Sequence, residues 1–495
     1  MPLNKTIMTA NPKHTFKHIL LILLSFFYTV SLLAEELNIP DIGESAATTL
    51  TLTDEKLMGE AVVRNIRRAG KLIEDPLLNQ YINDIGNKLV SVSGNQYYHF
   101  KFFIVDDKTI NAFALPGGFI GVHYGLFLAS RNESELASVL AHEIAHVTQR
   151  HHARAYDLGQ NYETPVLAAL IAAIILGANG NELGQAALAS IAGGTAQIAV
   201  NFTRRNEKEA DRLGIKMLNQ AGYDAHSMTT FFEQMYKESR LYGSQGPEFL
   251  RSHPVSENRM AEAKLRANQM PLHQPPSSEM YYLMKERIEI NSEMDEKQLL
   301  KKYASQIKHK TYTNKNAAQY GYAIALLKNN QLIKAKKIIL QLRAQSPSRI
   351  AYIITEAQIA AKSGEYNDSN RIYKNALDDF PNNQPLTLNY AEALIQQKQY
   401  RQAKDILTKH LRTAESLPIL YKLLSQVEAK LGNQAATHEI MSQYYYSIGQ
   451  THQALSQINI ALKTPNLDFY AESRLSAQKE KLQTEIKILN RKELK

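Results

Sequence analysis

The sequence predicts a mainly α-helical chain in two parts, an α+β domain with a small sheet followed by an all-α solenoid of repeated helix pairs. Three observations carry this. Between residues 99 and 123 the apolar residues alternate with a period of two, which is strand spacing, while the stretches before and after keep helical spacing. Beyond a Pro- and Ser-rich break at 271–278 no strand signal returns. In that second part small residues recur at 34-residue intervals, at Ala323, Ala357 and Ala391, which is the signature of stacked helix pairs.

Composition sets the outer limits. The chain has 495 residues, 44% hydrophobic and 21% charged, which is globular and long enough for several domains. The net charge is +9, but Lys5, Lys13 and Lys17 fall in the first 34 residues with no acid among them; the remainder holds 54 basic against 48 acidic residues, a net of +6. That excess is spread along the chain with no compact Lys/Arg block, which argues against a nucleic-acid partner. There is no cysteine, so disulfides, thiol nucleophiles and Cys-held metals are excluded.

In chain order, residues 1–34 have the form of a secretory signal peptide: the three lysines, an apolar run at 19–30, and Ala34 before Glu35. The apolar run is short for a membrane span. Leu32 sits where a small residue is preferred before cleavage, so the cleavage site stays open. A turn-rich leader follows at 38–43, then two helical patterns at 54–69 and 76–90. Strands are predicted at 99–105, 111–115 and 119–123, the last two joined by Pro116-Gly117-Gly118. A strand beside the helix that comes next would let an extended peptide add by main-chain hydrogen bonds; a sheet with covered edges is the plainer alternative.

That next helix contains Ala141-His142-Glu143-Ile144-Ala145-His146. His142 and His146 are one turn apart on one helix face, the spacing at which two neutral imidazoles grip one Zn²⁺. Glu143 stands beside them as a general base for a zinc-activated water. Small and apolar residues surround the three polar ones, so their burial needs a partner. His151 and His152 are too close along the same helix to complete a tetrahedral site with this pair, and are expected to be exposed. The apolar run at 165–178 is short for a membrane span; with the Ala-rich stretch at 182–200 it suggests a buried hairpin, with membrane contact as the lesser reading.

A second helix carries Glu207 and Asp211, four residues apart. A catalytic zinc site needs a third protein ligand and an open position. Glu207 is expected to be that ligand, and Asp211, counted with the catalytic set, to accept a hydrogen bond from a ligating histidine.

The H-E-x-x-H pair followed by Glu207-Lys208-Glu209-Ala210-Asp211 resembles the M48 family of zinc metallopeptidases. Asn111-Ala112-Phe113-Ala114-Leu115-Pro116-Gly117-Gly118 is similar to that family's sheet segment, and His253-Pro254 with Arg259 to its later H-P-x-x-x-x-R element. The resemblance covers roughly residues 40–270. It implies a zincin-like domain with one zinc on His142, His146 and Glu207. It also implies that His253 can approach the metal and hold the enzyme latent, the plainer alternative being a structural helix start at Pro254. Arg259 is open between steadying an oxyanion and tying down the glutamate helix.

The repeat spacing resembles the tetratricopeptide pattern. Pro347 and Pro381 are 34 apart, and Ala335, Ser369 and Ala403 share one register. About four units are expected, then a capping helix near 471–489. Tyr444-Tyr445-Tyr446 reads as helix packing. The expected division is therefore a signal peptide at 1–34, a metallopeptidase domain at 35–270, a linker and connecting helix at 271–310, and a repeat domain at 311–490. Leader and repeats resemble the periplasmic subgroup of the family. By that resemblance the substrates are outer-membrane β-barrel proteins and the partner is the barrel assembly machinery, with peripheral membrane association. The rival is a repeat scaffold or chaperone whose protease activity is latent or secondary. A membrane-embedded prenyl-peptide protease is disfavoured by the short apolar runs.

Overall fold

The computed structural model describes residues 50–95, 97–160, 194–242, 247–291, 295–413 and 417–493. The signal-like leader and the run at 165–178 lie outside the described residues, as does most of the stretch at 182–200. Among the described residues no helix is long and apolar enough to cross a membrane.

Helix α1 (Leu52–Arg68) starts at a reciprocal cap, in which the Thr51 hydroxyl accepts from the Asp54 N–H and Asp54 accepts from the Thr51 N–H. Helix α2 (Pro76–Val90) has Asp75 as N-cap and proline at its first position. Leu77, Leu78, Tyr81, Ile82, Ile85 and Leu89 form its buried face. Gly86 is required there, because a Cβ would stand 2.2 Å from the Phe102 ring.

Strands β1 (Lys101–Val105), β2 (Ala112–Leu115) and β3 (Phe119–His123) form one sheet in the order β1-β3-β2. β1 runs parallel to β3, with Lys101 opposite Phe119; β2 and β3 make an antiparallel hairpin, with Leu115 opposite Phe119. Gly117 and Gly118 turn the hairpin at φ +80° and +88°, where only glycine is unstrained. Both faces are covered. Phe102, Ile104, Ala114, Ile120 and Val122 belong to the main core, while Phe103, Val105, Leu115 and Phe119 pack with Val63 of α1. The outer edge of β1 is closed: Asn83 of α2 bonds both the N–H and C=O of Phe102, and Ile73 N–H donates to Ile104 C=O.

β3 leads through α3 (Tyr124–Ala129) into α4 (Glu133–Thr148), capped by Asn132. Every residue of α4 from Ser134 to Val147 is buried, so this is a central helix rather than a surface one. α5 (His151–Gln160) follows; α6 (Gly194–Gln220) and α7 (Ser227–Tyr242) pack along α4. The short α8 (Phe249–Ser252) and α9 (Glu257–Asn268) complete this part.

The segment expected as one connecting helix holds two, α10 (Glu279–Asn291) and α11 (Glu296–His309). α10 joins the two parts. Tyr281 stacks on Phe127 at 5.9 Å and its hydroxyl donates to Ser130 C=O at 2.6 Å, while Arg287 Nε lies 2.7 Å from Asp75 Oδ2. One apolar core therefore runs from Leu77 through Tyr281 to Val427.

The repeats follow as α12 (Lys315–Lys328) with α13 (Leu332–Gln345), α14 (Ile350–Lys362) with α15 (Tyr366–Asp379), and α16 (Gln384–Gln396) with α17 (Tyr400–Thr413). Then come α18 (Pro418–Lys430) with α19 (Gln434–Ser447), and α20 (Thr451–Ala461) with α21 (Phe469–Glu493). Ala323, Ala357 and Ala391 are buried, as are Ala335, Ser369 and Ala403. The period also governs the backbone: Asn330, Gly364, Lys398, Gly432 and Asn466 all have positive φ, each in the turn between the two helices of a pair. The expected capping helix is thus the second member of a further pair, with its own small core of Ala454, Ile458, Ala461, Leu475 and Leu482. Tyr446 does more than pack within its helix, since Arg64 of α1 lies 5.2 Å from its ring centre.

Candidate active site

α4 presents His142 and His146 on one face, their Nε2 atoms 3.0 Å apart. From α6, Glu207 reaches both, with Oε2 3.4 Å from His142 Nε2 and Oε1 3.4 Å from His146 Nε2. From the end of α8, His253 Nδ1 lies 3.0 Å from Glu207 Oε1 and 3.2 Å from His142 Nε2. The ligand atoms of these four buried residues all fall within 4.8 Å of one another. Three imidazoles and a carboxylate thus aim lone pairs at one small volume. Hydrogen bonds among them can satisfy only some of the pairs, whereas a cation satisfies all of them. A nitrogen-rich, sulfur-free donor set of this kind suits zinc. Glu143 is buried beside the cluster; its Oε1 lies 3.4 Å from His253 Nε2 and makes no hydrogen bond among the described residues.

The second layer is ionic. Asp211 Oδ1 lies 3.0 Å from His142 Nδ1. Arg259 of α9 grips Asp211 with two bonds, Nε to Oδ2 at 2.6 Å and Nη2 to Oδ1 at 2.8 Å, and its Nη1 lies 2.7 Å from Glu207 Oε2. Of the two arrangements left open for Arg259, it adopts the one that ties the acids of α6. Burial would lower the His142 pKa, but Asp211 and Glu207 outweigh it and hold it at about 9. At His146 burial wins and the pKa falls well below the ordinary value. Glu207 stays well below the usual carboxylate range: burial raises it, and His253 and Arg259 more than reverse that.

His142, Glu143, His146, Glu207, Asp211, His253 and Arg259 thus lie together in one buried group. His151 and His152 are not exposed. Arg150 adopts φ +50°, ends α4 and starts a new helix that folds back toward α6. Its side chain donates to Glu55 Oε1 and, at 2.7 Å, to Leu50 C=O. His151 is buried as a result, with Nδ1 2.9 Å from His146 Nδ1 and Nε2 3.2 Å from Glu209 Oε2. Nε2 of His152 is also buried. No local signal announces a left-handed arginine, so the sequence pattern reads as one continuous helix here.

Residues 76–267 match peptidase family M48, and residues 360–427 match the tetratricopeptide repeat. The chain is 36% identical over 445 residues to the β-barrel assembly-enhancing protease of Escherichia coli strain K12, covering 90% of this chain and 91% of that protein. It is 34% identical over 454 residues to the protein of the same name from Yersinia pestis, covering 92% and 93%. A mitochondrial metalloendopeptidase of Schizosaccharomyces pombe is 29% identical over 186 residues, 36% of this chain and 50% of that one. With a metallopeptidase match over the cluster, a repeat match beyond it and similarity along nearly the whole length, the chain belongs to the β-barrel assembly-enhancing protease family of M48 metallopeptidases.

Proposed function

We propose that the chain is a periplasmic zinc endopeptidase, with an additional chaperone role, that acts on misassembled outer-membrane β-barrel proteins. The observation that carries the catalytic part is the convergence of four buried donors with the buried Glu143 carboxylate beside them. In this reading residues 1–34 are a signal peptide, 35–270 the peptidase, 271–310 the connection and 311–490 the repeats. The substrate class, the barrel assembly machinery as partner, peripheral membrane association and the periplasmic location rest on kinship with the relatives named above.

His142, His146 and Glu207 would hold the metal, with Asp211 orienting His142 and Arg259 fixing both acids of α6. Bound zinc supplies Lewis acidity, which brings the pKa of water toward neutrality and polarises a peptide carbonyl. Glu143 takes up a proton at Oε1 as the water attacks and returns it to the departing amine. β2 is the sheet edge left after β1 is closed, and it contacts α4; a substrate strand adding there would bring its peptide bond toward Glu143. His253 acts as a latch. Its ring stacks on Phe249 at 4.9 Å and its ligand atom lies with those of His142, His146 and Glu207, so it would fill the position that a catalytic metal needs open. That contact favours an enzyme latent at rest, which leaves room for scaffold work by the repeats between cleavage events.

The test is casein cleavage and zinc content for the mature wild type, Glu143→Gln and His253→Ala. One zinc in each, with cleavage lost at least about a hundredfold in Glu143→Gln and raised in His253→Ala, is the expected result. Unchanged cleavage in Glu143→Gln would remove the general base, and unchanged cleavage in His253→Ala would remove the latch.

A further inference from the structure

Asp211 faces the outer nitrogen of His142. The outer nitrogen of His146 meets a different group. His146 Nδ1 lies 2.9 Å from His151 Nδ1; His151 Nε2 lies 3.2 Å from Glu209 Oε2; Arg154 Nη1 lies 3.4 Å from that same oxygen. His146 and His151 are buried.

Metal binding at His146 Nε2 would set the hydrogens along this chain of contacts. A neutral imidazole that offers Nε2 to a metal carries its hydrogen on Nδ1. In His146 that hydrogen points at His151 Nδ1, which must then be the bare acceptor. Neutral His151 therefore carries its own hydrogen on Nε2, directed at the Glu209 carboxylate. The reverse order would put a hydrogen on His146 Nε2, inside the cluster, where it would block the metal. Each contact has one donor and one acceptor in only one of the two orders.

We propose that His151 and Glu209 are positioning residues that fix the tautomer and ring orientation of His146 for metal binding. This rests on the reading of His146 as a zinc ligand. The fold is arranged to hold the pair. The left-handed Arg150, tied to Glu55 and Leu50, sets His151 at the start of α5, and Arg154, one turn further on, reaches Glu209 on α6. The two ligands of α4 thus have different supports, a carboxylate for His142 and a neutral imidazole backed by a carboxylate for His146.

The test is the affinity for zinc ion, measured by competition with a chromophoric chelator on full-length wild type, His151→Ala and His151→Asn. The Asn Oδ1 stands close to the place of the His Nδ1 and can accept the same hydrogen. His151→Ala is expected to weaken zinc binding by roughly 10- to 100-fold, and His151→Asn to recover most of that. Wild-type affinity in His151→Ala overturns the proposal. So does His151→Asn binding as weakly as His151→Ala, since packing rather than the acceptor would then matter. ¹⁵N spectra of zinc-loaded, histidine-labelled wild type need no variant to fold: they should show the hydrogen on Nδ1 of His146 and on Nε2 of His151. A hydrogen on His151 Nδ1 overturns the relay. A wild type that takes up no zinc overturns the ligand reading and the relay together, whereas normal zinc binding in wild type and His151→Ala alike overturns the relay alone.

Discussion

Ala323, Ala357 and Ala391 in the repeats are as deeply buried as His142, Glu143 and Glu207 in the candidate site. The alanines are held by whatever apolar surface lies opposite, because burial of carbon is not directional. The histidines and carboxylates each need one particular partner, drawn from α4, α6, α8 or α9. The repeats therefore tolerate drift: Ser369 stands in the register of Ala335 and Ala403, and its buried hydroxyl makes no hydrogen bond among the described residues. The cluster has no such slack, since removing one charge strands the others.

The largest effect should come from breaking that interdependence. Arg259→Leu leaves Asp211 and Glu207 as buried carboxylates facing an apolar side chain. A loss of about 3–5 kcal/mol is expected, seen as earlier urea unfolding of the peptidase half. A loss under about 1 kcal/mol would mean that the two acids are held by something else. A smaller effect is expected in the repeats. Ala357→Leu overfills a close helix contact and should cost about 1–3 kcal/mol while zinc content and casein cleavage stay at wild-type levels. Loss of zinc in that variant would show that the shared core transmits strain to the site.

The smallest effect sharpens the comparison from the other side, with a histidine that no partner satisfies. His410 of α17 is buried, and neither ring nitrogen has a hydrogen-bond partner among the described residues. Burial pushes its pKa below the ordinary value. The unfolded chain takes up a proton near pH 6.5 while the folded chain resists until lower pH, so stability is complete above that point and declines as the pH falls. His410→Leu should make the unfolding of the repeats less sensitive to pH between 7 and 5. An identical pH dependence in the two proteins would remove this histidine from the balance.

How much could be read in advance follows from the same contrast. Asp75 and Pro76 mark the start of α2, and the two glycines after Pro116 mark the hairpin, because capping and turn chemistry are local. The repeats show in the spacing of Ala323, Ala357 and Ala391. Glu207 and Asp211 were legible because the pair on α4 demands a third ligand. His151 was not, because its burial depends on a non-glycine residue, Arg150, turning left-handed against Glu55. The pairing of Arg259 with Asp211 was open for a similar reason, being a contact between helices far apart in sequence. That the connection holds two helices was not legible, because α10 is shaped to fit Phe127 and Asp75 and carries no repeat spacing.

The whole proposal stands on the buried cluster being a zinc site built on His142 and His146. The decisive measurement is the metal content of the chain, purified without chelator, in wild type and in the His142→Ala/His146→Ala double variant. About one zinc per chain is expected in the wild type, since catalytic sites of this type hold a single ion, and almost none in the double variant. A wild type without zinc, or a double variant that retains it, would mean that these histidines do not form a zinc site.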